Sequence, residues 1–336
     1  NPGTGDADIA SMAVVGQRLF FSARPTIEGR ELWVTDGTTT GTKMVKDIAS
    51  GSASSDPEDF CPLGSLLFFT CDDGTSGREL WVSDGTGSGT RRVKDIVSGS
   101  QGSDPHYLTP FQGKLLFQAD DQVNGPELWV SDGTATGTSL LVDLNPGAPG
   151  SDPAPLNGLH GPRQYSFFTA GGVAYFKAIT PGRGQELCRS DGTAKGTWMI
   201  KDINPGTGHG FPTHICSAGG QVFFSATDAA HGWELWKTDG TGQNTVLVKD
   251  IHVGTQSSLP GYMIAMGGEL YFKANSGTGR DALWVSDGTA KGTREVSPIG
   301  PKSRCTHLSS LAVIQGKLYY TAMPTTSMGH ELHISD

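Results

Sequence analysis

The chain has 336 residues and a formal net charge of −9. Because its Lys and Arg residues are scattered in an acidic background, the composition argues against a nucleic-acid partner. No apolar run approaches the roughly 18 residues that indicate a membrane-spanning helix, so no membrane span is expected. The 48 glycines and 19 prolines, set between short apolar runs, are typical of many strands joined by tight turns.

An Asp-Gly-Thr element recurs along the chain and defines seven repeats. Its Asp residues are separated by 48, 48, 59, 48, 48 and 49 positions. The longer step places an insertion before the fourth repeat, and the seventh repeat ends at its Asp. Repeats of this length, with about four strands each, predict a propeller. The Asp residues are Asp36, Asp84, Asp132, Asp191, Asp239, Asp287 and Asp336.

The second repeat shows the predicted strands in chain order. A short first strand covers Asp59–Leu63, and an apolar second strand covers Leu66–Thr70. The third strand covers Glu79–Ser83 and the fourth Arg91–Ile96. The continuous apolar run of the second strand indicates burial on both faces.

The predicted fold is therefore all-β, a seven-bladed β-propeller of four-stranded antiparallel blades in a single domain, 1–336. The seventh blade is predicted to lack its outer strand, because the chain stops after the third, and this open edge could associate with another chain. The repeat units cover approximately 6–48, 54–96, 103–144, 151–203, 211–251, 258–297 and 303–336.

The third strand of each repeat carries the most regular pattern. Glu31, Trp33 and Thr35 alternate with apolar residues, so they point to one face of the sheet. The recurring Trp is predicted to fill the gap between neighbouring sheets, and the recurring Glu to bond across to Lys46 or Asp47 on the fourth strand. The Asp-Gly-Thr loop is predicted to be a hairpin in which the carboxylate accepts backbone N–H groups.

The segment Glu31-Leu32-Trp33-Val34-Thr35-Asp36-Gly37-Thr38 and its copies resemble the ELWxxDGT repeat family of bacterial proteins. The resemblance covers nearly the whole chain. It implies an exported bacterial protein, secreted or at the cell surface, with a propeller-like fold, and it implies no particular activity. The fourth repeat departs from the pattern with Cys188 in place of Trp, and Trp198 is expected to fill that gap. The sixth and seventh repeats depart with Ala282 and His333.

The start of each first strand supplies the candidate site. In a propeller these strands surround a central channel, so a polar residue at each start would line the channel mouth. The chemistry of this column varies between repeats, which suits a ligand or metal site, although a hydrated channel lined by ordinary polar groups is the alternative. The column is Asp8, Asp59, Tyr107, Ser166, His214, Tyr262 and His307, with Glu58 and His106 one residue earlier.

Metal and cysteine chemistry is weakly indicated. No cofactor is predicted, and calcium at Asp-rich loops such as Asp72-Asp73-Gly74 and Asp120-Asp121 is a minor alternative, since the spacing of an EF-hand is absent. The five cysteines show no zinc spacing, so buried hydrophobic residues and a disulfide both stay open. They are Cys61, Cys71, Cys188, Cys216 and Cys305.

Three functions are compatible with these features. The leading hypothesis is a secreted or cell-surface binding propeller that recognises a glycan, a peptide or a protein through a loop face or the channel mouth. The second is an enzyme with a metal or acid–base site in the channel, using His214 and His307, although no catalytic residue is assigned. The third is a structural module of a larger extracellular assembly. Fold alone does not choose between them.

Overall fold

A computed structural model describes residues 6–25, 28–156, 166–296, 308–322 and 331–335. Their regular structure is twenty-seven β-strands, and no helix in that part of the chain is long and apolar enough to cross a membrane. The chain divides into two compact units. The first unit holds the first three sheets together with residues 166–167 and 191–197, and the second unit holds the other four sheets.

The three sheets of the first unit are each four-stranded and antiparallel, with strands paired in chain order. The first sheet contains β1 (Ala10–Val15), β2 (Arg18–Ala23), β3 (Glu31–Thr35) and β4 (Lys43–Lys46). The second contains β5 (Glu58–Leu63), β6 (Leu66–Asp72), β7 (Arg78–Ser83) and β8 (Arg91–Arg92). The third contains β9 (His106–Phe111), β10 (Lys114–Asp120), β11 (Pro126–Ser131) and β12 (Ser139–Val142).

The second unit repeats the same order in three four-stranded sheets and one three-stranded sheet. The fourth sheet contains β13 (Phe168–Ala170), β14 (Val173–Ile179), β15 (Gln185–Ser190) and β16 (Trp198–Lys201). The fifth contains β17 (Thr213–Ala218), β18 (Gln221–Asp228), β19 (Gly232–Thr238) and β20 (Val246–Lys249). The sixth contains β21 (Gly261–Met266), β22 (Glu269–Ala274), β23 (Ala282–Ser286) and β24 (Arg294–Glu295). The seventh contains β25 (Leu308–Ile314), β26 (Lys317–Ala322) and β27 (Glu331–Ser335).

This architecture confirms an all-β chain with one antiparallel sheet per repeat. The seventh sheet has three strands among the described residues, as expected. Within each unit the first strands of successive sheets lie side by side: β1, β5 and β9 in the first unit, and β17, β21 and β25 in the second.

The Asp-Gly-Thr segment forms the predicted hairpin loop. The carboxylate of Asp36 accepts hydrogen bonds from the Thr38 backbone N–H at 2.9 Å and the Thr38 hydroxyl at 2.7 Å. These hydrogen bonds hold the pKa of Asp36 below its usual value. The second glycine of the loop is also explained, because a Cβ on Gly41 would lie 1.9 Å from the Asp36 carboxylate.

Four of the five recurring tryptophans fill the spaces between sheets, as predicted, whereas Trp33 is half-buried against Phe21 of its own sheet. Trp81 is 6% exposed and belongs to one apolar cluster with Phe20 and Leu32 of the preceding sheet. Trp129, Trp236 and Trp284 take the corresponding positions in three further clusters. Truncating an aromatic residue at such a position typically costs about 3–5 kcal/mol of stability.

The expectation for Trp198 is wrong. Its side chain is 40% exposed and lies against the guanidinium of Arg189, whose Cζ is 4.6 Å from the ring centroid. The Trp position of the fourth repeat is occupied by fully buried Cys188 instead. Strand β16 presents Trp198 to the surface because its register pairs that residue with Arg189 rather than with the core residues of β15.

The predicted bond between the recurring Glu and Lys is also wrong, because each side chain has a different partner. The Lys46 ammonium donates to the Thr90 carbonyl of the next repeat at 3.0 Å and lies 5.8 Å from the Trp81 ring centroid. Lys94 repeats both contacts with Thr138 and Trp129. Each lysine therefore ties its own sheet to the next sheet in the chain.

The sequence of the other repeats agrees with this pairing of Lys and Trp. Cys188 and His333 replace Trp in the fourth and seventh repeats. The repeats that precede them carry Val142 and Ser297 where Lys recurs elsewhere. The cation and its aromatic partner are thus lost together, as expected if the ring contributes to holding the lysine in place.

The recurring Glu of the first five repeats is fully buried and holds the segment that crosses to the next repeat. The carboxylate of Glu31 accepts the N–H groups of Ile48, Ala49 and Ser55 at 2.9–3.2 Å and the Ser55 hydroxyl at 2.6 Å. Burial nevertheless raises the pKa of Glu31, because desolvation outweighs these hydrogen bonds. The same site recurs around Glu79, Glu127 and Glu234 with Ser103, Ser151 and Ser258.

The fourth repeat has a weaker version of this carboxylate site. Gly210 stands where the other repeats have Ser, so Glu186 receives the Gly210 N–H at 2.8 Å and no hydroxyl from that residue. Desolvation by burial raises the pKa of Glu186 to about 7. The charged form of this glutamate is therefore the least well stabilised of the set.

Replacing Lys94 should destabilise the first unit. Lys94→Met removes a charged hydrogen bond to a carbonyl, worth about 1.5–3 kcal/mol, and a cation–π contact worth about 0.5–1 kcal/mol. We expect the free energy of unfolding, measured with urea, to fall by about 2 kcal/mol. Lys43→Met is the matched control, since Lys43 is exposed on its strand. Equal effects of the two substitutions would contradict the role of Lys94.

Adding a hydroxyl beside Glu186 should change how stability depends on pH. A carboxyl whose folded pKa is raised contributes stability that is present below the unfolded pKa and lost as the pH rises through the folded pKa. For Glu186 this loss falls between 4.5 and about 7. Gly210→Ser should lower the folded pKa and reduce that loss.

The measurement is urea unfolding of both proteins at about pH 5 and about pH 8. A Cβ on Gly210 would lie 2.4 Å from the carboxylate, so the glutamate must shift, as the serines of the other repeats show it can. In Glu186→Gln, which removes the titrating group, this contribution should vanish. A Gly210→Ser protein with an unchanged difference between the two pH values would refute the explanation.

Candidate functional site

The first strands of six sheets, all except β13 of the fourth, contain a bulge at one fixed position. The backbone there has a positive φ between 33° and 61°, and in each of these sheets the register to the second strand shifts at this point. We call it the bulge position. It is occupied by Ser11, Asp59, Tyr107, His214, Tyr262 and Ser310.

A second residue with positive φ lies three positions before five of these bulge residues, and we call it the pre-bulge position; Asp152 holds the corresponding place after Ser151 in the fourth repeat. Its φ is between 42° and 51°. Asp is a natural residue there, since Asp tolerates the left-handed region better than most residues. Phe and Leu occupy it in the fifth and sixth repeats. The residues are Asp8, Asp56, Asp104, Asp152, Phe211 and Leu259.

Two residues of the predicted column therefore need correction. Asp8 is at the pre-bulge position of its repeat, and the bulge residue is Ser11. In the seventh repeat the bulge residue is Ser310, while His307 lies outside the described residues. The bulge adds a residue to the strand, so the first apolar residue does not give its position. The turn between the first and second strands gives the position of the bulge. Every bulge residue lies five positions before a turn residue with positive φ, as Asp59 does before Gly64.

The bulge region of the first unit is acidic. Its cavity has a volume of about 640 Å³ and is lined in part by Ser11, Glu58, Asp59 and Ser166. The Arg30 guanidinium pairs with the Asp8 carboxylate. Glu58 and Asp59, two candidate residues from the sequence, both line this cavity.

Arginine and histidine offset part of this negative charge. Arg78 Nη1 lies 3.8 Å from the Glu58 carboxylate. His106 lies between two carboxylates, with Nδ1 3.4 Å from Asp59 and Nε2 3.2 Å from Asp104. The hydrogen bond to Asp59, with the charge of Asp104, raises the pKa of His106. Tyr107 packs beside it, 5.9 Å between ring centroids.

The second unit has a pocket of different character at the equivalent place. It has a volume of about 530 Å³, and its apolar wall includes Phe211, Trp233, Leu259 and Tyr262. The bulge residues His214 and Tyr262 both line it, so the structure brings these two predicted site residues together. The polar lining includes Lys177 and Lys273.

The aromatic side chains of this pocket are ordered by stacking. Phe211 stacks on Trp233 with 6.2 Å between ring centroids and 8° between planes, and His209 stacks on Phe211 at 4.7 Å and 15°. The Lys273 ammonium lies 5.6 Å from the Tyr262 ring centroid and 3.3 Å from the Asp281 carboxylate. The pocket therefore has a rigid aromatic wall beside cationic groups.

The sequence contained a signal for this pocket that the column of polar residues missed. An Asp-Pro dipeptide stands at Asp56, Asp104 and Asp152, and it changes to Phe-Pro at Phe211 and Leu-Pro at Leu259. A break in an otherwise regular repeat, toward an exposed apolar residue, marks a position that the scaffold alone does not require.

The described part of the chain contains no candidate metal site. No three His, Cys, Asp or Glu side chains are grouped there as a metal ion would need. In the loops considered for calcium, the Asp73 carboxylate accepts the N–H groups of Thr75 and Ser76, and the Asp121 carboxylate those of Val123 and Asn124. These carboxylates stabilise their own turns, and calcium binding stays a prediction.

The cysteines behave mainly as buried apolar groups. Cys61, Cys71, Cys188 and Cys216 are all free thiols, and Cys305 lies outside the described residues. Burial raises the pKa of Cys61 to about 12 and that of Cys216 to about 11. Because the thiolate is the reactive form, neither thiol is activated as a nucleophile near neutral pH.

No protein-family model matches this chain, and neither does any curated protein. Among solved structures it is similar to a prolyl endopeptidase at 13% identity, covering 97% of this chain and 48% of that chain, with a TM-score of 0.47. It is similar to a puromycin hydrolase at 16% identity, covering 96% and 51%, with a TM-score of 0.41. The β-propeller domain of the Trilobed protease from Pyrococcus furiosus matches at 10% identity, covering 98% and 95%, with a TM-score of 0.38. The chain spans about half the length of the first two proteins.

These comparisons contradict the leading functional hypothesis. The similar structures are peptidases and hydrolases, whereas the sequence was interpreted as a secreted or cell-surface binding propeller that recognises a glycan, a peptide or a protein through a loop face or the channel mouth. That prediction is wrong.

The contacts of His106 predict its titration. In Asp59→Asn the imidazolium loses the hydrogen-bonded carboxylate that contributes most to its raised pKa, so the pKa should fall toward the ordinary value near 6.5. A titration followed by NMR would measure this shift. Asp120→Asn is the control and should leave the titration unchanged. It removes an acid of the sheet that contains His106, and this acid does not contact the imidazole. An unaltered pKa in Asp59→Asn would exclude the proposed pairing.

Proposed function

We propose that this chain is a seven-bladed propeller domain that holds peptide substrates for a peptide hydrolase and does not itself cleave them. The similarity to a prolyl endopeptidase suggests the kind of hydrolase to test. The pocket of the second unit supports the proposal. The observation that carries the proposal is the stacked aromatic wall of Phe211 and Trp233 beside the lysines of that pocket. Exposed aromatic residues in a concave site are typical of ligand recognition.

The circular arrangement of the blades belongs to this proposal. In each unit the first strands of successive sheets lie side by side, as they do around a propeller channel, and an apolar cluster joins neighbouring sheets. Seven such sheets in sequence suit a closed ring. The six bulge residues would then face one channel mouth.

The pocket suits a peptide for reasons of size and polarity. Its volume of about 530 Å³ accommodates a few residues of an extended chain. Apolar side chains of the peptide would pack on Phe211, Leu259 and Trp233. The hydroxyl groups of Thr213 and Ser225 line the same pocket and are of the type that fixes a peptide backbone by hydrogen bonds.

The proposal assigns binding and no bond cleavage to this chain. The thiols of Cys61 and Cys216 have raised pKa values, so they are poor nucleophiles. Membership of the ELWxxDGT repeat family and export from a bacterial cell stay predictions.

A peptide-binding measurement tests the proposal. Calorimetry with a panel of hexapeptides that vary one residue among Phe, Leu, Pro, Ser, Asp and Lys should show binding that favours the apolar residues. Trp233→Ala should weaken that binding at least about tenfold, as expected for an aromatic residue at the centre of an interface. Trp198→Ala is the control, because Trp198 is an exposed tryptophan of the same unit that stacks on Arg189. No binding of any peptide, or an equal loss in both variants, would refute the proposal.

A further inference from the structure

We infer that the pocket of the second unit binds a proline-rich segment of its peptide in the polyproline II conformation. The proline rings pack on the aromatic wall, and the peptide carbonyls accept hydrogen bonds from the pocket. This inference rests on the proposed function and names the class of peptide that is held. Two properties of the pocket carry it: a preformed, half-exposed aromatic surface, and a polar lining that is rich in hydrogen-bond donors.

Two apolar residues of the wall occupy a position where the fold accepts aspartate. Phe211 and Leu259 have φ values of 44° and 51° and are 44% and 56% exposed. The first four repeats have Asp at this position, and Asp tolerates the left-handed region better than a bulky side chain does. The main chain therefore does not require Phe or Leu here. Their exposure to water is explained if a ligand covers them.

The residue before the buried glutamate changes together with the pre-bulge residue. In the first repeat it is Arg30, whose guanidinium pairs with the pre-bulge residue Asp8. In the fifth repeat it is Trp233, whose indole stacks on the pre-bulge residue Phe211 with 8° between ring planes. His209 also stacks on Phe211, and its Nδ1 accepts the first backbone N–H of β15 at 2.9 Å. The aromatic wall is thus held in place by its own contacts, so binding would order few side chains.

A fixed and half-exposed aromatic surface is the kind of site that proline-rich segments use. Such segments form the polyproline II helix before they bind, and they dock on aromatic-lined grooves with little loss of conformational freedom. Because Phe211 and Leu259 each remain about half exposed, the wall offers a surface to lie on rather than a closed hole for one side chain. The volume of about 530 Å³ accommodates a few residues of such a helix.

The polar groups of the pocket match the hydrogen-bonding groups of a proline-rich backbone. The Trp233 indole can only donate, and the Lys273 ammonium has three N–H groups, of which the Asp281 carboxylate accepts one at 3.3 Å. No Asp, Glu, Asn or Gln is among the described residues that line the pocket. Proline has no N–H group, so a proline-rich backbone presents carbonyl acceptors alone. An ordinary peptide would bring an N–H group at every residue, and this lining has no carboxylate or carboxamide to accept it.

The test compares two seven-residue peptides with blocked ends. One is Ser-Pro-Pro-Ala-Pro-Pro-Ser, and the other has valine at the four proline positions. Valine has as many side-chain carbons as proline and adds a backbone N–H, so the two peptides differ in hydrogen-bond donors and in conformational freedom. We expect the proline peptide to bind at least about tenfold more tightly by calorimetry.

Substitutions in the pocket test the hydrogen bonds to the peptide carbonyls. Trp233→Phe and Lys273→Met each remove a donor and leave a side chain that can pack, so each should weaken binding of the proline peptide about threefold or more. Lys273→Arg keeps donors and should retain the affinity. The matched control is Trp198→Phe, which changes an exposed tryptophan of the same unit and should have no effect. Unchanged affinity in both Trp233→Phe and Lys273→Met would overturn the inference.

The outcomes separate this inference from the proposed function. Equal or tighter binding of the valine peptide would overturn the preference for proline while leaving peptide binding intact. Binding of members of the hexapeptide panel without binding of the proline peptide would overturn it as well. If neither seven-residue peptide bound, and no hexapeptide of the panel bound either, the proposed function itself would be refuted.

Discussion

The buried carboxylate of the third strand is the interaction on which the rest of the structure depends. Glu234 accepts the N–H groups of Ile251, His252 and Ser258, and so fixes the segment that leads into the next sheet. Ser258 immediately precedes Leu259 of the pocket. The carboxylate thus determines where the next first strand begins, and with it the positions of the bulge and the site. Its desolvation is the cost of that placement, as the raised pKa of Glu234 shows.

The two units show how one scaffold yields opposite surfaces. In the first unit, Asp8, Asp56 and Asp104 hold arginine and histidine side chains, so the bulge region is a network of charges. In the second unit Phe211 and Leu259 take the same backbone positions and form an apolar pocket. The strands, the bulges and the buried glutamates are the same in the two units. The difference between the charged surface and the apolar surface lies in the side chains at positions that the sheets leave exposed.

Sequence reasoning was strongest for features that recur in most repeats. The spacing of Asp36 and Trp33 predicted the sheets, the hairpins and the apolar contacts between sheets. It failed for the polar partners of the recurring side chains, because Lys46 was assigned to Glu31 although its ammonium reaches the Thr90 carbonyl of the next repeat. The bulge displaced two candidate residues, since periodicity does not reveal an added residue. The predicted column reached the pocket of the second unit through His214 and Tyr262 but missed its apolar wall, which the change from Asp to Phe211 and Leu259 marks in the sequence.

The placement of the pre-bulge residue separates the exposed surface of a repeat from its framework. The buried carboxylate and the serine before Leu259 fix the main chain, and the Leu259 side chain is exposed. The carbonyl of Arg78 accepts the Asp104 N–H as the carbonyl of Trp233 accepts the Leu259 N–H. Two side chains can therefore turn a charged surface into an apolar one while these main-chain hydrogen bonds stay in place.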